Sequence, residues 1–468
     1  MLLMISVGVI TMALIVGKRY HTLTREKPRP PMAPYGFLRM FNEATSASGP
    51  WFLLKISRSA IGTIFRMKFT PFGFGPDFVV VGDAKLAQSV LRNPKNLKPE
   101  WIFKSFDSYT RGPSMLTKEG HRWHHARSAI NPAFSSKNVK TMNSIVLEQV
   151  NKWAQEDLIP KYIEKDSPFD ISAVFLRQVL KGISVAAFEY EMSNEEVEAI
   201  LHELKIMGKE LPKHFRNPTR KFFGQFTPTG QRYALALDRN IELSKKILKH
   251  YRSLDDPKDG TIISMIVNNP NYKSDDERIA EITLFFFAGH DTTVYSLAWT
   301  FLELAKNPLE QTKLRNALRN APKDKWTSLP ELRCAVKEGT RLHPALAGGT
   351  WRVLSSDTRT DKYFLAKGTH VYINFLVVFR NQEYVDRPDE FIPSRWIDPS
   401  DDLSSAYFPF ALGRRNCLGQ ALAIAELNNV LATLIAEYEF SVFEEGTVDY
   451  FLTLKPIGAK LIAKRVCL

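Results

Sequence analysis

The amino-acid sequence predicts a mainly helical fold with a minor β part. Helical patterns dominate from about residue 83 onward, and only two short runs rich in β-branched residues, 78–81 and 371–375, are typical of strands. The 468 residues are 44% hydrophobic and 24% charged, which is ordinary for a globular protein with a substantial core. No internal repeat is visible, so the chain forms one large domain or a few ordinary ones.

The first residues predict a membrane anchor. Residues 1–17 are apolar except for Ser6 and Thr11, and four Lys or Arg residues follow between positions 18 and 27. A cleaved signal peptide is the alternative, but the positive charge follows the apolar run and favours an anchor with the body on the cytoplasmic side. Residues 18–36 contain four prolines and predict a stiff, basic linker to a body that spans 37–468.

The net charge of +13 suits an anionic membrane, an acidic protein partner or a nucleic acid. No nucleic-acid-binding motif is present, so we expect no nucleic-acid partner. The three cysteines, Cys334, Cys417 and Cys467, form no C-x-x-C pair. This excludes a disulfide framework or a cysteine zinc site and favours a reducing compartment.

Three long helices are predicted, at about 194–211, 231–251 and 276–304, and the last is the most apolar in the body. The first two are joined by the basic and aromatic stretch 212–226. Its phenylalanines either enter a membrane interface or pack on the body, and composition alone does not decide between the two.

The stretch FPFALGRRNCLGQ (408–420) places Cys417 directly before a helical pattern. A helix N-terminus stabilises a thiolate, and Gly413 and Gly419 permit a tight turn and the close approach of another group. Arg415 and its arginine neighbour offer donors for carboxylates. The loop therefore suits a flat metal cofactor that carries carboxylates, although local chemistry alone favours a buried cysteine in an ordinary turn.

The same loop resembles the F-x-x-G-x-R-x-C-x-G motif of the cytochrome P450 family. The matching residues are Phe410, Gly413, Arg415, Cys417 and Gly419. The resemblance implies haem b with the Cys417 thiolate as the axial ligand of its iron. It also implies a helix-rich lobe and a small β-rich lobe around a buried haem, in a single haem-binding catalytic domain.

Two further segments resemble the family's E-x-x-R helix and the arginine that follows it. Glu338 and Arg341 lie three residues apart on one helical face, ahead of the sequence L-H-P, and Arg395 lies in RPDEFIPSRW. The resemblance implies that these three side chains form a buried structural cluster that supports the haem-binding fold without a catalytic role.

The apolar helix contains LFFFAGHDTTVYSLAW, which resembles the family's A-G-x-D-T-T segment. Ala288 and Gly289 leave room for a bulky neighbour, and Asp291 and Thr292 place an acid and a hydroxyl within an apolar helix. The resemblance implies that Thr292 hydrogen-bonds dioxygen and that Asp291 supplies protons or fixes the helix distortion. His290 occupies a variable position of the motif and is not expected to be a ligand.

The haem propionates need donors, and GHRWHHAR resembles the family's G-x-x-W-x-x-x-R helix. The propionate donors implied by the resemblance are Trp123, Arg127, Arg352 and Arg415. His124 and His125 take no part in the resemblance and are expected at the surface.

The resemblance, which covers essentially the whole chain, implies a monooxygenase of the membrane-anchored eukaryotic microsomal type. It would insert one atom of dioxygen into a lipophilic small molecule, with electrons from a separate NADPH-dependent flavoprotein reductase and cytochrome b5 as a further candidate donor. A single-pass protein of the endoplasmic reticulum membrane, with its catalytic domain in the cytoplasm, is expected.

Two other functions stay open at this stage. One is a haem-thiolate isomerase or dehydratase that acts on peroxides, and the other is a non-enzymatic haem carrier or sensor; Asp291 and Thr292 together disfavour both. Fatty acids, terpenoids, sterols and xenobiotics are all candidate substrates. Substrate contacts are expected from segments 101–116, 213–226 and 345–350.

Overall fold

The computed structural model describes residues 28–68, 77–216, 220–450 and 452–466. The predicted anchor, residues 1–17, and the linker up to residue 27 lie outside the described residues. The α-helices span Phe37–Ala44, Gly49–Ser57, Ala84–Arg92, Glu100–Phe103, Asp107–Thr110, Gly120–Ile130, Ser136–Trp153, Ile171–Phe188, Asn194–Arg216, Arg220–Phe223, Pro228–Arg252, Ile262–Val267, Asp275–Lys306, Pro308–Arg319, Pro330–Leu342, Phe375–Phe379, Asp401–Ala406 and Gln420–Glu437. Short 3₁₀ turns span Lys104–Phe106, Asn131–Phe134, Gly224–Phe226, Lys323–Ser328, Pro393–Trp396 and Gly413–Arg415.

The strands are few and short. They are β1 (Ile64–Lys68), β2 (Asp77–Val81), β3 (Phe169–Asp170), β4 (Thr350–Val353), β5 (Thr358–Arg359), β6 (Phe364–Leu365), β7 (His370–Ile373), β8 (Tyr438–Glu444), β9 (Thr447–Tyr450), β10 (Leu454–Ile457) and β11 (Lys460–Arg465). The predicted fold class, mainly helical with a minor β part, is confirmed.

The helix Asp275–Lys306, called the central helix below, runs through the main core. The Ser274 hydroxyl accepts the N–H of Glu277, and three acidic residues fill the first turn, which matches the positive end of the helix dipole. Most of the following turns are apolar and buried. The predicted helices at 194–211 and 231–251 are also present and extend to Asn194–Arg216 and Pro228–Arg252.

The largest sheet has the strand order β1-β2-β7-β4 and lies between two hydrophobic cores. Strands β2 and β7 pair in parallel, whereas the outer pairs are antiparallel. Since side chains alternate along a strand, Phe78 and Val80 enter the main core while Val79 and Val81 enter the smaller one. Both faces are buried, which explains the continuous apolar run that predicted this strand.

The second predicted strand, 371–375, ends earlier than expected. Strand β7 stops at Ile373, because the Asn374 side chain accepts the N–H of Val377 and caps the helix Phe375–Phe379. A π-helical segment, Ala154–Ile163, which contains Pro160, was also not predicted. Proline lacks the N–H that a regular helix needs, so the hydrogen-bond pattern changes there.

Within the described residues, one helix, Ile171–Phe188, is long and apolar enough to cross a membrane. Of its apolar window 72% is buried inside the protein. Its apolar face packs on the central helix, where Phe188 stacks on Phe286 with ring centroids 4.6 Å apart. It is therefore a core helix, and it says nothing about the predicted anchor.

Candidate active site

The cysteine loop (408–420) forms a tight turn that requires glycine at position 413. The backbone N–H of Cys417 donates to the carbonyl oxygen of Phe410 at 2.8 Å and closes the loop. Gly413 has φ +75°, and a Cβ there would lie 2.5 Å from the carbonyl oxygen of Leu91. Only glycine fits this approach to the neighbouring helix.

The Cys417 side chain lies just before the helix Gln420–Glu437. It is exposed, yet enough protein surrounds its sulfur for burial to raise the pKa of the thiol, against the opposite effect of the Gly419 and Gln420 N–H groups. The exposed surface therefore faces an enclosed space. A Cβ on Gly419 would meet only the Cys417 sulfur, at 4.0 Å, so Gly419 leaves that space clear without backbone strain.

Cationic side chains converge beside this loop. Arg352 is 2% exposed, and burial together with Arg415 lowers its pKa to about 10. Burial and the same two guanidinium groups hold the pKa of Lys98 well below its ordinary value. Arg415 pairs with Glu119 and lies 4.0 Å above the Trp123 ring, but its Nη1 has no hydrogen-bond partner among the described residues.

Arg127, which the sequence predicts as a propionate donor, contacts the cysteine loop directly. Its Nη1 and Nη2 donate to the backbone and side-chain oxygens of Asn416, both at 2.8 Å. Nε donates to Asn131 at 3.1 Å. Through these contacts Arg127 fixes the position of Asn416, the residue before Cys417. Its positive charge also acts to lower the pKa of the Cys417 thiol.

The central helix is open at one place along its buried length. Ala288 is exposed and Thr292 half-buried, although Phe286 and His290 nearby are buried. The Thr292 hydroxyl donates to the Ala288 carbonyl at 2.8 Å. The Tyr109 ring packs on Phe287 with centroids 4.2 Å apart, which brings the predicted substrate segment 101–116 to the same place.

Gly289 serves helix packing. A Cβ at this position would lie 3.0 Å from the Cδ1 atom of Ile183, on the helix Ile171–Phe188. The bulky neighbour that Gly289 accommodates is therefore another helix, whereas Ala288 is exposed at the opening in the central helix.

The carboxylate of Asp291 is held by residues from a distant hairpin. Its Oδ2 accepts from Lys455 Nζ at 3.0 Å and from the Thr453 hydroxyl at 3.2 Å. His290 Nε2 lies 3.2 Å from Oδ1, while its Nδ1–H donates to the Phe286 carbonyl at 2.6 Å. Burial acts to raise the pKa of Asp291, but Lys455 and His290 outweigh it and hold that pKa below the ordinary range.

Glu338, Arg341 and Arg395 form one cluster, in which Glu338 and Arg341 are buried and Arg395 is half-buried. Arg341 donates to both oxygens of Glu338, at 2.8 and 2.9 Å, and Arg395 donates at 3.0 Å. The Ile392 N–H and the Trp396 indole add donors at 2.9 Å. The structure thus brings together the three residues that the sequence grouped, and it supplies enough donors to keep the carboxylate ionised.

Two residues of the site, Lys98 and Lys455, were not predicted from the sequence. Lys98 follows a short loop with no motif, and Lys455 lies 164 positions after Asp291, so no local pattern marks either one. A lysine between apolar residues at 97 and 99 was the only available signal for Lys98.

The residues present fit a haem. The Cys417 thiol and Ala288 are both exposed and leave surface for a ligand, and the buried Arg352 forms a positive group with the half-buried Arg415 and Lys98, with Glu119 as a counter-charge. Such a group suits a ligand that brings two carboxylates. Cys334, by contrast, is buried away in a separate cluster with Trp396.

Comparison with known proteins identifies the family of this chain. The family model described as Cytochrome P450 matches residues 41–462. Similar relatives include "Probable cytochrome P450 508C1" of Dictyostelium discoideum, 26% identical over 73% of this chain and 75% of its own length. The mouse "1,25-dihydroxyvitamin D(3) 24-hydroxylase, mitochondrial" is 24% identical over 83% and 78%, and the Arabidopsis thaliana "Cytokinin hydroxylase" is 26% identical over 75% and 72%. The chain therefore belongs to the cytochrome P450 family and is a monooxygenase that binds haem through a cysteine thiolate.

Proposed function

We propose that this chain inserts one oxygen atom into a lipophilic small molecule, with Cys417 as the thiolate ligand and electrons from a separate reductase. The observation that carries the proposal is the opening in the central helix, where Ala288 is exposed and Thr292, which follows Asp291 in the sequence, is half-buried. When bound, haem supplies the activation of dioxygen. The protein residues control protons and water around it.

Asp291 acts as a fixed acceptor in this proposal. Because Lys455 and His290 hold its pKa below the ordinary range, it is ionised at neutral pH and cannot itself release a proton there. In this proposal it orients a water molecule as a proton donor toward the Thr292 hydroxyl. That hydroxyl donates to the Ala288 carbonyl, so its lone pairs stay available to accept a proton donor.

The test compares Thr292→Ala with Thr293→Ala. Thr293 makes the same kind of bond, to the Gly289 carbonyl at 2.9 Å, but it is buried. With a substrate found by screening, we expect Thr292→Ala to consume NADPH at a similar rate while product per NADPH falls by roughly tenfold and hydrogen peroxide rises. The proposed role of Thr292 is refuted if Thr292→Ala forms as much product per NADPH as the wild type, or if the Thr293→Ala control loses as much product per NADPH as Thr292→Ala.

The reductase is proposed to dock beside the cysteine loop. A cleft of about 650 Å³ lies there, lined by Gly413, Asn416 and Gln420 together with the basic residues Arg333 and Lys337. These basic residues would attract an acidic surface on an NADPH-dependent flavoprotein reductase. An acidic surface on cytochrome b5 would be attracted in the same way. Reduction rates should then fall as ionic strength rises, because salt screens the attraction.

We also propose a single catalytic domain, 37–468, held at the endoplasmic reticulum membrane with its body in the cytoplasm. Phe223 and Phe226 are 66% and 75% exposed, and aromatic side chains of this kind are suited to a membrane interface. Vesicle flotation of the full chain and of Phe223→Ser/Phe226→Ser tests this contact. Equal flotation of both proteins would mean that Phe223 and Phe226 do not contribute to membrane binding.

A further inference from the structure

Two histidines on the helix Gly120–Ile130 lie against each other outside the site described above. His121 is exposed and His125 half-buried, and they are four residues apart on one helical face. Their Nε2 atoms are 3.0 Å apart and their ring centroids 4.0 Å apart. Two ring nitrogens therefore approach one point at the surface.

This separation suits two ligands of one metal ion. Zinc binds histidine nitrogen at about 2.0–2.1 Å, so two adjacent ligands at angles between 90° and the tetrahedral angle lie about 2.9–3.3 Å apart. A hydrogen bond between neutral rings also fits 3.0 Å, but it satisfies a single donor. A cation would use the lone pairs of both Nε2 atoms.

Both histidines belong to the helix Gly120–Ile130, with His121 in its first turn. Neutral imidazole is the form that binds metals. With two protein ligands, the remaining coordination positions are left to water.

We propose that His121 and His125 form a two-histidine site for a divalent transition-metal ion of the zinc or copper class. The site links two successive turns of the helix whose inner side carries Trp123 and Arg127, so a bound ion stabilises that helix without touching the haem-binding residues. Imidazole selects these ions over the hard cations Ca²⁺ and Mg²⁺.

Isothermal titration of the full-length holoprotein, without a histidine tag, tests the site with Zn²⁺ and with Ca²⁺. We expect one Zn²⁺ per chain, no saturable Ca²⁺ binding, and at least tenfold weaker Zn²⁺ binding in both His121→Ala and His125→Ala. His124→Ala is the matched control, because His124 lies on the same helix with its ring 6.5 Å from that of His125, and it should change the affinity by less than twofold.

Three results overturn the proposal. They are the absence of saturable Zn²⁺ binding in the wild type, equal binding of Ca²⁺, and a loss in His124→Ala as large as in the two single variants. Haem content, measured from the reduced carbon-monoxide difference spectrum, verifies that each variant is folded. Zn²⁺ should also raise the melting temperature of the wild type and not that of His121→Gln.

Discussion

The ion pair between Asp291 and Lys455 joins the central helix to strand β10, and its removal should be measurable. We consider Lys455→Met, Asp291→Asn and the double variant. Both side chains are only about one-fifth exposed, 21% for Asp291 and 22% for Lys455. The pair therefore lies between an exposed salt bridge, worth about 0–1 kcal/mol, and a buried one, whose disruption costs about 3–5 kcal/mol.

The distance allows a rough magnitude. Charges 3.0 Å apart interact by about 5.5 kcal/mol at an effective dielectric constant of 20, and by about 1.4 kcal/mol in water. Part of this attraction offsets the loss of hydration. We therefore expect a coupling energy of about 2 kcal/mol at neutral pH, which corresponds to a factor of about 30 in the folding equilibrium.

The coupling should depend on pH in a defined direction. The folded-state pKa of Asp291 is lowered, so its contribution is complete above about pH 4 and is lost as pH falls through the folded value. The pKa of Lys455 is raised, mainly by Asp291 against the effect of burial, so its contribution is complete below about pH 10 and is lost at higher pH. The coupling should be constant between about pH 5 and 9.

The assay is urea unfolding of the holoprotein, followed by circular dichroism, for the wild type, both single variants and the double variant. Lys464→Met is the control, since Lys464 is exposed on β11, the next strand along the chain. A coupling energy below about 0.5 kcal/mol, or one that rises steadily between pH 5 and 9, would refute this account of the ion pair.

Three further outcomes are expected. Glu338→Ala should abolish haem retention and cost at least about 3–5 kcal/mol, because Arg341 would stay buried without its carboxylate; normal haem content on purification would contradict this. Gly413→Ala should destabilise the protein by about 1–3 kcal/mol through strained backbone and contact with Leu91, whereas Gly112→Ala, which has open space, should not. Lys98→Met should speed the transfer of haem to apomyoglobin about tenfold, and it should leave the apoprotein no less stable because it relieves repulsion from Arg415. The exposed Lys95→Met is the control. Slower haem transfer from Lys98→Met than from the wild type would be inconsistent with a contact between Lys98 and a propionate.

Short motifs, through their resemblance to those of the P450 family, made much of the site predictable. Glu338 and Arg341 are close in sequence and on one helical face, and the cysteine loop carries its glycine and helix signals within a few residues. The contacts of Arg127 with Asn416 and of Asp291 with Lys455 join residues more than 160 positions apart. No periodicity encodes such pairs, because they depend on how helices and strands pack.

Two details of the backbone also could not be predicted from the sequence. The end of β7 depends on whether the Asn374 side chain caps a helix, and the sequence around it suits a strand equally well. The π-helical segment Ala154–Ile163 depends on the packing of its flanks, and Pro160 alone predicts a helix end rather than a wider turn.

The hairpin partners of Asp291 have a consequence for biosynthesis. At about 5–20 residues per second, the ribosome adds Lys455 about 8–33 s after Asp291. During this interval the nascent central helix holds a carboxylate whose cation does not yet exist, and Trp299 lacks the Leu454 carbonyl to which its indole donates at 2.9 Å. The centre of the protein can therefore close only after strand β10 has left the ribosome, so final assembly of the core waits for that strand.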